Sequence, residues 1–354
     1  MYLMKEKAGS QFYCVMQRMP LILLMIWLVL LIPLYLPNMG GSGLKLPMNI
    51  LTWGMIAAIT VGIWISISHN KPVYFGSTTR IILLAIMVLF LPLLFTQSQW
   101  YDTAGSRWAA LMAGALFTLS LRQYSLFQER FRWVLTALLF AITLQAVIAT
   151  GQLFTVHRIP DYFAYPMLNG RPYGVFQQVN LLASFIATGL ALVLGMFCIP
   201  GMTPAPGRVK MITNLLLAAL LVLFTALLVW LQSRIGWLGG CMASLLLLAV
   251  GFRVAPKKAA LAAGLTGAGI VLALIVKSHG ALPSVTHADS NYARLNILQD
   301  TLKMIAARPF LGWGYGSFEF SFQHFRAAQH LSTMGLGVVR HPHNEILLWW
   351  VEGG

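Results

Sequence analysis

Residues 211–231 read MITNLLLAALLVLFTALLVWL, and this stretch decides the fold class. It contains no charged side chain, and at about 1.5 Å per residue its length suits a hydrocarbon layer about 30 Å thick. Similar blocks recur along the 354 residues, of which 58% are hydrophobic and 9% are charged. Soluble domains carry about 25% charged residues. The sequence therefore predicts an all-α polytopic membrane protein and excludes an ordinary water-soluble globule.

Nine transmembrane spans are predicted when the length and apolar character of every other block are judged in the same way. They occupy residues 20–37, 47–67, 81–96, 105–121, 133–151, 178–198, 211–231, 235–252 and 259–276. The predicted transmembrane bundle thus covers residues 1–276, a long and partly helical loop covers 277–345, and residues 346–354 begin an incomplete tenth span. Because this loop is far longer than a connection requires, we expect it to be functional.

The basic residues of the short linkers indicate the orientation of the chain. The linkers on one side are rich in them and carry Lys5, Lys7, Arg18, Lys71, Arg80, Arg122, Arg130, Arg132, Arg208, Lys210, Arg253, Lys257 and Lys258. The opposite linkers and their flanks carry only Lys45, Arg107, Arg158, Arg171 and Arg234. Since cytoplasmic loops hold the excess of Lys and Arg, the N-terminus is predicted to be cytoplasmic. The loop at 277–345 is then predicted to lie on the opposite, external side of the membrane.

Two other function classes are disfavoured by the distribution of charge. A formal net charge of +15 is compatible with nucleic-acid binding, but Lys and Arg lie singly or in short clusters between apolar blocks. That distribution is typical of membrane-flanking residues, so no nucleic-acid partner is expected. The spans also lack charged residues near their middles, where proton-coupled carriers place them. A transporter of lipid-linked sugar is therefore a low-ranking alternative.

The sharpest candidate site is the run Arg340-His-Pro-His-Asn-Glu345, which directly precedes the apolar residues 346–351. A histidine at the mouth of a span suits a general base, because its unperturbed pKa of about 6.5 lies near neutrality. A metal site through His341, His343 and Glu345 is a second interpretation, since these are suitable ligands. A third interpretation is that these residues only terminate a helix at the membrane surface. The general base is favoured.

Two arginines in external segments are candidates for phosphate binding. Arg234 lies in the short turn QSRIGW at 232–237, and Arg171 lies in GRPYGVFQQVN at 170–180. The planar fork of guanidinium donors suits phosphate oxygens. An arginine close to the bilayer surface is also a common membrane anchor. Both interpretations remain open from the residues alone.

The long loop contains a predicted amphipathic helix at 292–307, YARLNILQDTLKMIAA. The apolar residues that share one of its faces are Leu295, Leu298, Leu302 and Ile305. Arg294 lies about 60° from the centre of this stripe, along its membrane-facing border. The glycines at 312, 314 and 316 are interpreted as a turn after the helix. A phosphate-binding loop is the weaker interpretation, because a GxGxG pattern without a following P-loop lysine is a weak signal for phosphate.

These residues resemble the O-antigen ligase and polymerase superfamily. There, a His-Asn pair at the end of the periplasmic loop is followed by a glycine, and here nine residues separate His343-Asn344 from Gly354. Arg294 followed by RPFLGWGYG at 308–316, and Ser-Arg-Ile-Gly at 233–236, are similar to the same superfamily. The stretch GRPYGVFQQVNLLASF at 170–185 resembles the signature of its PglL-type branch, the protein O-oligosaccharyltransferases.

The resemblance implies an inverting, metal-independent transfer of a glycan from an undecaprenyl-pyrophosphate carrier to a hydroxyl group, with no cofactor. His343 would take the acceptor proton, and the arginines that would bind the pyrophosphate are Arg234, Arg294 and Arg171. The expected supporting residues are His341, Asn344, Glu345, Gln178 and Asn180. The expected partners are the lipid-linked glycan donor, membrane lipids and an exported, pilin-like protein as acceptor. Ligation of O-antigen to lipid A–core is the first alternative, and a repeat-unit polymerase is the second.

The end of the sequence raises an expectation about completeness. Gly354 lies inside the predicted tenth span, for which residues 346–351 supply only a short apolar run, whereas a span needs about 20 residues. We expect that further helices follow in the complete enzyme and that this chain is truncated at its C-terminus. His343 would then lie on an unconstrained tail. We therefore expect the 354-residue chain to insert but to transfer no glycan detectably.

Overall fold

The computed structural model describes residues 15–37, 46–67, 73–97, 100–154, 163–167, 170–202, 207–279, 288–326 and 339–354. In these ranges every regular element is helical and none is a strand, which confirms the all-α fold class. The helices in chain order are α1 Val15–Leu31, α2 Pro47–Ser66, α3 Ser77–Phe95, α4 Tyr101–Gln123, α5 Ser125–Glu129, α6 Phe131–Phe154, α7 Val179–Cys198, α8 Gly207–Leu231, α9 Arg234–Val254, α10 Pro256–Ser278, α11 Ala288–Ala307, α12 Phe318–Ser321 and α13 Glu345–Gly353.

Among the described residues, 7 helices are long and apolar enough to cross a membrane. They are α2, α3, α6, α7, α8, α9 and α10. The predicted spans at 20–37 and 105–121 fall on α1 and α4, which do not combine the required length and hydropathy. Helix α1 is too short, and α4 opens with Asp102 and Arg107 in its first two turns. The chain is therefore a multi-pass membrane protein.

The chain divides into two compact units. Unit 1 comprises the described residues of Met1–Ile67 and Tyr124–Val285, which contain α1, α2 and α5 to α10. Unit 2 comprises the described residues of Ser68–Gln123 and Thr286–Gly354, which contain α3, α4 and α11 to α13. The residues that the sequence singles out as a candidate site are distributed over both units.

The core of unit 1 is built around α7, which packs against α6, α8 and α9. Small residues allow these helices to approach closely: a Cβ on Gly189 would collide with Ile142 and Phe224, and one on Gly236 with Ala183. Close backbone approach through small residues is the usual way in which helices associate in lipid, where apolar surface gives little driving force. The short turn between α8 and α9 is thereby held against the start of α7.

The core of unit 2 is formed by one face of α11, by α12 with the turn that follows it, and by α13. Its buried apolar side chains are Ile297, Met304, Ile305, Phe318, Phe322, Leu347, Leu348 and Val351. The predicted leucine stripe of α11 is not this face. Leu295, Leu298 and Leu302 are exposed, whereas Asp300 and Thr301 are fully buried. Only Ile305 of the predicted stripe contributes to the packing of the unit.

The expectation that His343 lies on an unconstrained tail is wrong within unit 2, because α13 is firmly packed. The backbone N–H of Trp313 donates to Val351 O at 2.8 Å, and that of Gly314 donates to Glu352 O at 3.1 Å. The predicted glycine turn at 312–316 is confirmed, since its three glycines have φ values of 62, 87 and 77°. Only glycine adopts such angles without steric cost, so this turn can follow the helix closely.

An ion pair with a buried carboxylate connects α4 and α13 of unit 2 beside this turn. The guanidinium of Arg107, on α4, donates from Nη1 to Oε2 of Glu352, on α13. Glu352 is 2% exposed, whereas the Arg107 side chain keeps 38% of its exposure. A carboxylate buried this deeply requires a partner, because the loss of hydration is not otherwise offset. Arg107 therefore ties α13 to α4.

We predict that Arg107→Met lowers the stability of the folded protein by on the order of 2–3 kcal/mol, because it leaves the Glu352 carboxylate buried without its counter-charge. The figure is below that of a fully buried pair because water already reaches the arginine. The double variant Arg107→Met with Glu352→Leu should recover most of the loss, since it removes the orphaned charge. Thermal unfolding in detergent measures both effects. Equal melting temperatures for the single variant and the parent would contradict the assignment.

Candidate active site

His343 occupies an unusual backbone position immediately before α13. Its φ of 55° lies in the left-handed region, which costs a residue with a Cβ roughly 1–2 kcal/mol. The next residue, Asn344, is the N-cap of α13 and accepts a hydrogen bond from the N–H of Leu347 at 3.2 Å. An N-cap asparagine satisfies a helix N–H that has no partner within the helix. The conformation of His343 is thus set between a capped helix and the residues that precede it.

His341 holds the strained residue from the other side. Its Nδ1 accepts a hydrogen bond from the backbone N–H of His343 at 2.9 Å, and its Nε2 lies 3.0 Å from Oε1 of Glu345. Because Nδ1 accepts, the proton of a neutral ring is on Nε2 and is donated to the Glu345 carboxylate. Both nitrogens of His341 are therefore occupied. This arrangement favours His343 over His341 as the base and makes His341 a positioning residue.

The pKa of His343 is lowered from its ordinary value. Although solvent reaches the ring, partial burial is the largest cause, followed by the positive charge of Arg294 and by His341. Each of these disfavours the imidazolium form. The neutral ring, which can accept a proton, therefore persists to lower pH than in a free histidine. Arg294 therefore lies close enough to His343, within unit 2, for its charge to act on the ring.

The same segment gives no support to the metal interpretation. The ring centroids of His341 and His343 are 6.1 Å apart, and His341 already bonds to Glu345 and to the backbone. In the part of the chain that the structure describes, no group of three His, Cys, Asp or Glu residues is arranged to hold a metal ion. A zinc site would require at least three such ligands around one point.

Arg234 begins α9 in unit 1, directly after the tight turn that follows α8. The N-cap, Ser233, accepts a hydrogen bond from the N–H of Gly236 at 3.3 Å, and its hydroxyl also donates to Oδ1 of Asn180 at 2.9 Å. The side chain of Arg234 is exposed. A helix N-terminus carries partial positive charge and unpaired N–H groups, so the guanidinium and the helix end favour an anion at the same place.

Arg171 lies in the same region of unit 1, but most of its donors face the protein. Its Nε and Nη2 donate to Leu231 O at 3.1 and 2.7 Å, and Nη2 also lies 3.3 Å from Gln232 O. These carbonyls end α8, so Arg171 caps the negative end of that helix. Burial lowers the pKa of Arg171, and Tyr173 partly opposes this effect. The geometry favours a role in positioning the α8–α9 turn over direct binding of a phosphate.

Two buried glutamines of α6 were missed as functional candidates in the sequence. Gln152 accepts from the N–H groups of Tyr173 and Gly174 at 3.0 and 2.8 Å, and Gln145 accepts from the N–H of Val175 at 3.2 Å. They fasten the segment that carries Arg171. The sequence does contain a sign of this role for Gln145, because its amide lies in the middle of a predicted span, where polar groups must find hydrogen-bond partners.

The predicted supporting residues differ in what they contact. Asn180 bonds to Ser233, Asn344 caps α13, and His341 and Glu345 bond to each other. Gln178 is the N-cap residue of α7, but its side chain makes no capping hydrogen bond. Unit 1 thus contains Asn180 with Arg171 and Arg234, and unit 2 contains the histidine segment with Arg294.

Comparison with protein families gives two matches. Residues 219–354 match the family described as O-Antigen ligase, and residues 172–194 match the family described as Protein glycosylation ligase. Comparison with curated proteins and with solved structures gives no match. The fold describes a polytopic membrane protein, and the two family matches imply a glycan-transferring activity. The two matches support its membership of the superfamily of O-antigen ligases and protein glycosylation ligases, which confirms the resemblance drawn from the motifs.

We predict that the neutral-to-charged transition of His343 lies below about pH 6.5, the value of an unperturbed histidine. Replacing Arg294 by Gln should move it upward, because one of the charges that disfavour the imidazolium is removed. The pH dependence of diethylpyrocarbonate modification at His343, followed by peptide mass spectrometry, measures this midpoint. Arg340→Gln is the control, since Arg340 pairs with Glu319 at 3.2 Å in the same unit. An unchanged midpoint in Arg294→Gln would contradict the coupling.

Proposed function

We propose that this protein transfers a glycan from an undecaprenyl-pyrophosphate carrier to a hydroxyl group of an exported protein, at the periplasmic face of a bacterial inner membrane. The observation that carries the proposal is the histidine segment of unit 2. His343, with a strained backbone, is held there by His341 and the cap of α13. It lies within the region that matches the O-antigen ligase family. A geometry of this kind suits proton abstraction from an acceptor hydroxyl.

The proposed reaction is a single displacement. His343 takes the proton of the acceptor hydroxyl while its oxygen bonds to the anomeric carbon of the glycan. The bond from that carbon to the pyrophosphate oxygen breaks, and its electron pair leaves with the diphosphate. Attack opposite to the leaving group inverts the anomeric configuration. The products are the glycosylated acceptor, the carrier diphosphate and a protonated His343, which returns its proton to water.

In this proposal, arginine side chains bind the leaving diphosphate. Arg234, supported by the N-terminus of α9, and Arg294, which is close enough to His343 to lower its pKa, would pair with the phosphate oxygens. Because these cations offset the developing negative charge, the proposed reaction is metal-independent. Arg171 is given an indirect role, since it fastens the α8–α9 turn from which Arg234 projects.

The choice of a protein acceptor rests on the shorter family match. Residues 172–194 match the family of protein glycosylation ligases and include Gln178 and Asn180. The second candidate function, ligation of O-antigen to lipid A–core, is favoured by the longer match at 219–354. An assay that offers a pilin-like protein and lipid A–core side by side, with the same lipid-linked donor, decides between them.

We predict that His343→Ala lowers the rate of glycan transfer by about 10²–10⁴-fold, the usual contribution of a general base. The variant should insert normally, because the side chain does not belong to the core of unit 2. Transfer of a labelled glycan by membranes that contain the protein measures the effect. His324→Ala is the matched control in the same unit and should leave the rate unchanged. A His343→Ala protein with full activity would rule out the proposed base.

We predict that Arg234→Lys and Arg294→Lys each weaken binding of the lipid-linked donor about tenfold, equivalent to about 1.4 kcal/mol, since Lys keeps the charge but loses the bidentate fork. Equilibrium binding of radiolabelled donor to the purified protein measures this. Arg171→Lys should instead lower the melting temperature, with a smaller effect on binding. Donor binding that is unchanged in both of the first two variants would identify these arginines as membrane anchors.

A further inference from the structure

Unit 2 contains an open notch that the proposed reaction does not use. Its volume is about 460 Å³, and the residues that line it are Phe95, Arg308, Pro309, Phe310, Leu311 and Gly312. The walls are therefore apolar except for one guanidinium. Phe310 is 87% exposed, which is extreme for a phenylalanine, and Leu311 is also exposed. Exposed apolar side chains beside a cation suit a ligand that has both an apolar part and a negative charge.

The notch is fixed at one end of α3. The backbone N–H of Tyr315 donates to Oγ1 of Thr96, the residue that follows α3, at 3.1 Å. The indole N–H of Trp350 donates to Pro309 O at 3.2 Å. Since α3 is long and apolar enough to span a membrane, its end lies at the level of a membrane surface. Indole rings are enriched at this level.

Arg308 presents a prearranged cation to the notch. Its guanidinium carbon lies 4.2 Å from the centroid of the Trp313 ring, and that ring is itself held by its Nε1, which donates to Met304 O at 3.0 Å. Stacking on an indole fixes the guanidinium plane and leaves the N–H groups at its edge free for oxygen acceptors. Among the described residues, these N–H groups have no hydrogen-bond acceptor or carboxylate partner. The cation is therefore available to a ligand.

We propose that this notch binds an anionic phospholipid of the surrounding bilayer. The phosphodiester would accept from Arg308, and the first part of an acyl chain would lie against Phe310, Leu311 and Phe95. Charge decides between the lipids that could enter: one guanidinium matches the single negative charge of a phosphodiester such as that of phosphatidylglycerol. A diphosphate carries more negative charge and would require a second cation, and Arg308 is the only charged residue of the lining.

The function of this contact would be to hold the segment after α11 at the membrane surface. The proposal rests on the multi-pass membrane character of the chain and not on the proposed glycan transfer. Its failure would therefore leave the role of His343 untouched, and the reverse also holds.

The test measures binding of phosphatidylglycerol to the purified, detergent-solubilised protein by native mass spectrometry. We expect the equilibrium constant for the first bound phosphatidylglycerol to fall about tenfold in Arg308→Gln, as for loss of one charged hydrogen-bonding group. Phe310→Ser should weaken binding as well and cannot disturb the core, because this side chain is almost fully exposed. Arg340→Gln, which removes one positive charge from the same unit, is the control and should bind as the parent does.

Three results would overturn the proposal. The first is equal binding of phosphatidylglycerol by Arg308→Gln and the parent. The second is equal affinity of the parent for phosphatidylglycerol and for zwitterionic phosphatidylcholine. The third is that farnesyl diphosphate displaces bound phosphatidylglycerol at a lower concentration than added phosphatidylglycerol does, and that Arg308→Gln abolishes this difference. The notch would then be a site for an isoprenoid diphosphate.

Discussion

The buried carboxylate of Glu352 is the constraint on which unit 2 depends. A charge with 2% exposure needs a cation, and Arg107 of α4 supplies it. The backbone carbonyls of Val351 and Glu352 also need donors, and the N–H groups of Trp313 and Gly314 donate to them. These requirements fix α13 relative to α4 and to the glycine turn. The start of α13 carries the cap that places His343, so the candidate base is positioned by charge satisfaction several residues away.

The charged and titratable groups of the two units lie in different environments. In unit 2, burial and the charge of Arg294 lower the pKa of His343, which favours its neutral form, while the carboxylate of Glu345 orients the neighbouring His341. In unit 1, Arg171 is directed inward to helix carbonyls and Arg234 outward to solvent at a helix N-terminus. One arginine thus stabilises a turn, and the other remains available to an anion. Sequence position alone gave these two arginines similar standing.

The fold class and most long helices could be predicted from the sequence because uninterrupted apolar blocks have few alternatives in a membrane. The number of spans was less certain, since α4 mixes polar and apolar residues and its hydropathy alone does not decide its environment. The packed face of α11 could not be predicted from apolar spacing. Asp300 is fully buried there and pairs with Lys303, whereas three leucines of the expected stripe are exposed. The leucine stripe marks a face turned away from the core of unit 2, and the packed face is set by tertiary contacts that apolar spacing does not reveal.

The sequence nominates the residues of the candidate site by type, but it does not reveal how they contact one another. His343 could be chosen over His341 from the His-Asn motif, whereas the hydrogen bond from the His343 amide to the His341 ring depends on a left-handed backbone that no spacing rule reveals. The glycine turn at 312–316 has a related consequence. Its amides at 313 and 314 point at helix carbonyls, so they are not free to form an anion hole. At this turn, recognition of phosphate would therefore have to come from side chains, whose charge and reach can change by single substitutions without rebuilding the backbone.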